Sequence, residues 1–253
     1  MFEFLFKKRK PLPLPYKRDL HCHIIPGVDD GFQFEEDSVS ALRRMQDLGL
    51  EKVIFTPHHT APHFLNTPEK IQPVFDHLSE LMREDGLSVE AEDYSFEYRV
   101  DESFLDLMET GKWGDAGCSI RPLKGRYLLI ESGWMSAIPN FELVIQRLVE
   151  QGYYLILAHP ERYPYYARNY EYYYPMLQEQ QVQFQCNLLS FAGHYGDHVK
   201  HVAHWMLRHG YVNFMGSDLH RLAHCERIER YLASKEYASI REALCENLDN
   251  DLI

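Results

Sequence analysis

Apolar and polar positions along the chain follow two periods in turn. Short runs of strand-forming residues recur at 18–24 (RDLHCHI), 52–59 (KVIFTPHH), 96–100 (FEYRV), 126–132 (RYLLIES), 153–160 (YYLILAHP), 182–189 (VQFQCNLL) and 212–220 (VNFMGSDLH). Between them the spacing turns helical. Over 68–85, Ile71, Val74, Phe75, Leu78, Leu81 and Met82 fall on one face. Thr67 can cap that helix, Pro68 sits in its first turn and Gly86 follows its end. Residues 197–209 repeat the scheme, with Asp197 as cap, Val199, Val202 and Met206 as the apolar face, and Gly210 as the stop. Residues 140–151 start at Asn140 and are followed by Gly152. Strands alternating with helices predict a parallel sheet. Seven of them over this length predict an α/β fold of one domain, a barrel either complete or distorted. The segment 87–96 is ambiguous between strand and loop.

The boundaries expected are an N-terminal arm over 1–17 and the barrel domain over 18–253. In MFEFLFKKRK a short apolar run precedes the charge, the reverse of a secretory signal. PLPLP then reads as an extended spacer. The arm is expected to be exposed, with a peripheral membrane or partner contact as the alternative, and no stretch is long and apolar enough to span a bilayer.

Of the 253 residues, 45% are hydrophobic and 25% charged, which is ordinary for a globular chain. The net charge of −12 argues against a nucleic-acid-binding face, which must be basic. The five cysteines, Cys22, Cys118, Cys186, Cys225 and Cys245, form no CxxC pair, which suits a reduced, cytoplasmic setting.

Chemistry-bearing residues gather at the C-terminal ends of the expected strands. His21 and His23 end the first, His58 and His59 the second, Glu131 the fourth, His159 the fifth, and Asp218 and His220 the seventh; Glu97 lies in the third. Parallel α/β barrels place their chemistry at that end. Side chains i and i+2 of a strand point the same way, so His21 and His23 can share an ion while Cys22 points away. Imidazole and carboxylate without thiolate suit Mn, Fe or Zn. Each signal has a plainer rival: a hydrogen-bonded core pair for HxH, a buried paired glutamate for LIES, an Asp-capped turn for GSDLH. Their coincidence at one end of successive strands favours a metal site. His198, His201 and His204 run along a helix whose other face is apolar and are expected on a solvated surface. No GxSxG elbow, Walker loop, strand-linked GxGxxG or CxxxxxR phosphate loop is present.

The motifs DLHCHIIPGVDDG, TPHH, EYRVDESF, LLIES, LAHPERY, AGHYG and GSDLH stand in the order seen in the PHP (polymerase and histidinol phosphatase) superfamily. From about Arg18 to about His220 the chain resembles its bacterial protein-tyrosine-phosphatase branch, associated with capsule and exopolysaccharide synthesis. The resemblance implies a distorted (β/α)7 barrel with two or three divalent metals, manganese foremost and iron or zinc as alternatives. By it, His21, His23, Glu97 and Asp218 would hold a first metal. Glu97 would bridge to a second, completed by Glu131 and His159, and Asp30, His58 and His220 would hold a third. Glu90, Glu92 and Glu102 compete with Glu97 for its place. Arg162 matches an arginine that contacts the substrate phosphate. The place of a second such arginine falls on Cys225, with Arg221 and Arg227 nearby as substitutes. Tyr163, Tyr165 and Tyr166, following Arg162, are expected to border the mouth and touch substrate. The implied activity is hydrolysis of phosphotyrosine by a metal-bridging hydroxide, on a tyrosine autokinase that controls polysaccharide synthesis. The alternatives are a histidinol-phosphatase-like or other small-molecule phosphoesterase, and a noncatalytic partner-binding module on a degenerate barrel.

Overall fold

A computed structural model describes residues 9–110, 120–134 and 136–253. The seven expected strand runs all join parallel ladders, in two hydrogen-bonded sets. One has the order β1 (Arg18–Asp19), β2 (Lys52–Phe55) and β4 (Glu90–Tyr94). The other has the order β3 (His58–His59), β5 (Glu97–Arg99), β6 (Tyr127–Glu131), β7 (Tyr154–Ala158), β8 (Val182–Asn187) and β9 (Phe214–Gly216).

The two sets are one wall with breaks in it. Thr56 and Pro57 divide β2 from β3, since proline has no N–H to give a ladder. Ser95 and Phe96 divide β4 from β5. Backbone bonds carry the pairing across both breaks: Thr56 N–H to Cys22 O (3.1 Å), Ser95 N–H to Phe55 O (2.8 Å) and Glu97 N–H to Pro57 O (3.1 Å). The ambiguous segment 87–96 is thus resolved as the first half of the third strand. The wall closes where Asp218 N–H meets His21 O (2.8 Å) and His23 N–H meets Leu219 O (3.0 Å). Seven staves, two of them interrupted, make the distorted (β/α)7 barrel.

Its lower end is tied by the C-terminal segment. Asn250 donates to Arg18 O (2.9 Å) and Met215 O (2.7 Å) and accepts from Met215 N–H (2.8 Å), so one amide joins the first and last strands. Leu20, Ile54, Leu129, Ile156 and Phe214 form a compact apolar cluster. Leu129 is two residues before Glu131 and on its face, which places this cluster beneath the polar end.

The helices follow the apolar periodicity but not the expected caps. Pro68–Glu84 buries Ile71, Leu78 and Met82, yet the Thr67 side chain makes no capping bond. Asn140 precedes Phe141–Glu150 in a left-handed conformation, also without a side-chain cap. Asp197 is the first helical residue of Asp197–Arg208, and Gly196 takes the cap position. His198 and His201 are exposed as expected, but His204 is half-buried against Phe191 and paired with Glu236 (3.0 Å).

The arm is a further correction. Residues 1–8 lie outside the described residues, but Leu14 and Tyr16 are buried. Leu12 N–H reaches Leu232 O (3.0 Å), Leu14 N–H reaches Leu48 O (2.9 Å), and Tyr237 donates to Pro13 O (2.7 Å). The alternating prolines and leucines let this stretch lie extended on the barrel instead of leaving it. Among the described residues no helix is long and apolar enough to cross a membrane.

Candidate metal centre

At the C-terminal ends of the strands, nine side chains converge: His21, His23, Asp30, His58, Glu97, Glu131, His159, Asp218 and His220. His21, His23 and Asp218 form one close group, which Glu97 also approaches. The two Nε2 atoms are 3.2 Å apart, and each lies 3.3–3.6 Å from Glu97 Oε2 and Asp218 Oδ1. Asp30, His58 and His220 also come together, with Asp30 Oδ1 3.4 Å from His58 Nε2 and 3.6 Å from His220 Nε2. The intended second set is looser. His159 Nε2 is 2.8 Å from Glu97 Oε1, whereas Glu131 Oε1 faces His58 Nδ1 at 3.8 Å. Glu97 stands between all of them.

A second ring of acceptors orients the imidazoles. His23 Nδ1 donates to Asp29 Oδ2 (2.8 Å), His21 Nδ1 to Gln185 Oε1 (2.7 Å) and His220 Nδ1 to the Asp218 carbonyl (2.9 Å). A neutral ring held in this way keeps its proton on Nδ1 and turns an Nε2 lone pair to the centre, the arrangement that metal-ligating histidines use. Asp29 also accepts from His58 N–H (3.0 Å), and Asn187 donates to Asp218 Oδ2 (2.6 Å). His159 (φ 35°) and Asp218 (φ 49°) sit in the left-handed region, a cost of about 1–3 kcal/mol each that the surrounding contacts must hold in place.

The donor set fits divalent cations. Glu131 Oε2 and His159 Nδ1 are buried with no hydrogen-bond partner among the described residues, and Glu97 Oε2 is crowded by three histidine nitrogens at 3.0–3.4 Å. Such groups cost about 1–3 kcal/mol apiece when nothing satisfies them. Burial and then the neighbouring Glu97 raise the Glu131 carboxyl to about 8. Burial opposes protonation of His21, but Glu97 and Asp218 overcome it and lift the ring to about 9. Cations would neutralise this crowding. Oxygen and imidazole nitrogen without sulfur match Mn, Fe or Zn.

The other glutamates lie elsewhere: Glu92 pairs with Arg18 (2.6 Å), Glu90 with Lys52 (3.4 Å), and Glu102 is exposed. Cys22 is fully buried in the apolar shell, its thiol pushed well up by burial and by Asp19, so alternation has sent it away from the centre. Gly216 lies so close to His21 that a Cβ there would come within 2.6 Å of the His21 Cβ. Bare backbone is what admits the ring.

A family model described as capsular polysaccharide synthesis, CpsB/CapC, matches residues 17–246. The chain belongs to the CpsB/CapC family. It is 26% identical over 234 residues to the tyrosine-protein phosphatase YwqE of Bacillus subtilis, covering 87% of this chain and 85% of that protein. It is 25% identical over 210 residues to the tyrosine-protein phosphatase CpsB of Streptococcus pneumoniae, covering 81% and 83%. A crystal structure from work on these two proteins, described there as metal-dependent tyrosine phosphatases, superposes with a TM-score of 0.72 at 25% identity, over 91% of this chain and 95% of the other.

Around the nine donors, the CpsB/CapC chain departs in part from expectation. Arg162 stands at the rim of the centre: its Nη1 is 2.7 Å from Asp218 Oδ2, and its guanidinium lies between Trp134 (4.3 Å) and Tyr195 (4.0 Å). Arg221 and Arg227 are exposed and line one cavity with Arg162, whereas Cys225 is buried on the inner side of its helix. Tyr163 and Tyr166 do not border the mouth. Tyr163 is fully buried, its hydroxyl accepting from Ser132 N–H (3.0 Å), and Tyr166 is buried beside it. Only Tyr165 is part-exposed, and its hydroxyl donates to Gly133 O (2.7 Å). These rings brace the loop after Glu131 instead of offering a free surface. Trp134, stacked on His159 at 5.2 Å, was not anticipated, nor were Asp29, Gln185 and Asn187. Gln185 and Asn187 obey the same i, i+2 rule as the histidines, but an amide carries no ligand signal.

Proposed function

We propose that this chain is a metal-dependent protein-tyrosine phosphatase. The observation that carries the reading is the nine-donor centre with Arg162 at its rim, in a chain that aligns along most of the length of YwqE and CpsB. His21, His23, Glu97 and Asp218 would hold one cation, with Glu97 reaching toward Glu131 and His159 and with Asp30, His58 and His220 nearest solvent. Bound divalent cations would supply Lewis-acid polarisation of the phosphoryl group and a water acidic enough to attack at neutral pH. The protein's own part is to bind and orient. Arg162, always charged and clamped by Asp218 and two aromatic faces, offers its remaining N–H donors to the phosphoryl oxygens as charge builds on them. Asp30 keeps 58% of its side chain exposed, so its side of the centre is where a phosphate would enter. Manganese as the resident metal, a cytoplasmic setting and a tyrosine autokinase as partner extend this proposal. Support for them is the donor chemistry, the cysteine usage and the capsule-synthesis family.

The test is a comparison of kcat/KM for a phosphotyrosine peptide, a phosphoserine peptide and histidinol phosphate on metal-loaded protein. Preference for phosphotyrosine is expected; equal or better use of histidinol phosphate would shift the assignment to a small-molecule phosphoesterase. On the same substrate, Cys22→Ser is expected to keep most of the turnover, while His21→Ala loses it. A comparable loss in both, with Cys22→Ser folded and metal-loaded, would point to thiolate chemistry.

A further inference from the structure

The centre opens into a cavity of about 370 Å³ that its donors line only in part. One wall is the helix Leu222–Leu232 and the residue before it, contributing Arg221, Ala223, His224, Glu226, Arg227 and Arg230. Ala223, Arg227 and Arg230 stand at i, i+4 and i+7, so they share one stripe of the helix. At ~1.5 Å per residue that stripe runs about 10 Å away from Asp218 and His220. Arg221, Arg227 and Arg230 are exposed, and among the described residues none has a carboxylate within 4.0 Å. Arg162, deeper in the cavity, is by contrast paired with Asp218. Glu226 is the one acid on this part of the wall. Three guanidinia with no carboxylate partner among the described residues, Arg230 donating through Nε to the Glu226 carbonyl (3.2 Å), therefore gather beside the candidate centre of a chain whose net charge is −12. The field of two of them is felt across the cavity: burial and then Arg227, with Arg162 and Arg221, disfavours protonation of His194.

We propose that Arg221, Arg227 and Arg230 form a subsite for a carboxylate-bearing residue flanking the phosphotyrosine, so that the substrate is an acidic phosphopeptide. This rests on the phosphatase reading above. An extended peptide advances ~3.3–3.6 Å per residue, so a wall about 10 Å long serves positions up to about three from the phosphotyrosine. Guanidinium forks take carboxylates in a bidentate manner, and an open rim contact acts through complementarity and encounter rate.

The experiment uses two phosphotyrosine peptides that differ only in Glu and Asp against Gln and Asn within three residues of the phosphotyrosine. For the metal-loaded wild type, kcat/KM should favour the acidic peptide by about 5–10-fold at low salt and lose that preference as salt rises. The ratio should fall toward one in Arg227→Gln and Arg230→Gln and invert in Arg227→Glu. Because both peptides meet the same preparation, any shared loss of folded or metal-loaded protein cancels. Equal use of the two peptides by wild type overturns the subsite alone. A preference that survives all three substitutions removes it from this wall. Hydrolysis of neither peptide overturns the phosphatase reading, and the subsite with it.

Discussion

EDTA treatment is expected to abolish phosphotyrosine hydrolysis, and added Mn²⁺ to restore it. The reason is the charge balance of the centre. Without a cation, His21 is lifted to about 9 because Glu97 and Asp218 outweigh the effect of burial, and Glu131 is raised to about 8 by burial and by Glu97. At pH 7 both then carry a proton that cation binding must expel. Titration of metal into stripped protein, in two buffers of different ionisation enthalpy, should reveal that release. The sign for stability follows. Both groups bind protons more tightly when folded than the ~6.5 of a free His or ~4.3 of a free Glu, so their contribution is complete below those values. It is lost as pH rises through about 8 to 9. The Tm of stripped protein should decline over that range, and the Tm gain from Mn²⁺ should grow. Undiminished activity in metal-free protein would overturn the metal reading.

Glu97→Gln is expected to lose both bound metal and rate. One oxygen of Glu97 lies 2.8 Å from His159 Nε2, and the other lies 3.3, 3.4 and 3.0 Å from His21, His23 and His58 nitrogens. An amide keeps the shape but offers a single acceptor, and its NH₂ cannot ligate. Metal content measured by mass spectrometry should drop by at least one ion per chain. Turnover should fall beyond the roughly 10–100-fold that loss of an outer partner costs. Unchanged stoichiometry with a lowered rate would place Glu97 on the substrate instead.

Much of this centre was legible because two simple regularities suffice for it. Alternation along strands puts His21 beside His23, and parallel barrels gather such residues at one end; six strand ends then converge, while Asp30, in a loop, was reached only through the family resemblance. What was hidden depended on contacts that no local pattern encodes. Tyr163 follows Arg162 directly, yet its ring turns inward because its hydroxyl meets Ser132 N–H across the neighbouring strand. Pro57 and the Ser95–Phe96 break are visible as letters, but the ladder continuing past them is a tertiary fact. Asp29 and Asp30 are adjacent acids, and only the fold shows one buried against His23 and the other open to solvent. PLPLP looks like a spacer, and its docking waits on Leu48, Leu232 and Tyr237.

The seam at which the barrel closes bears on when the centre can exist. Asp19 accepts from Ser217 N–H across a sequence separation of 198 residues, and the Asn250 amide joins the same two strands from below. His21 and His23 leave the ribosome well before Asp218 and His220 do. Until the last strand is made, the nascent chain holds an incomplete ligand set that lacks Asp218 and His220. Long-range closure of this kind is slow, because loop entropy must be met before the contacts that reward it. Ion affinity is thus a late product of folding, and metal uptake in such a chain reports that the first and last strands of the barrel have met.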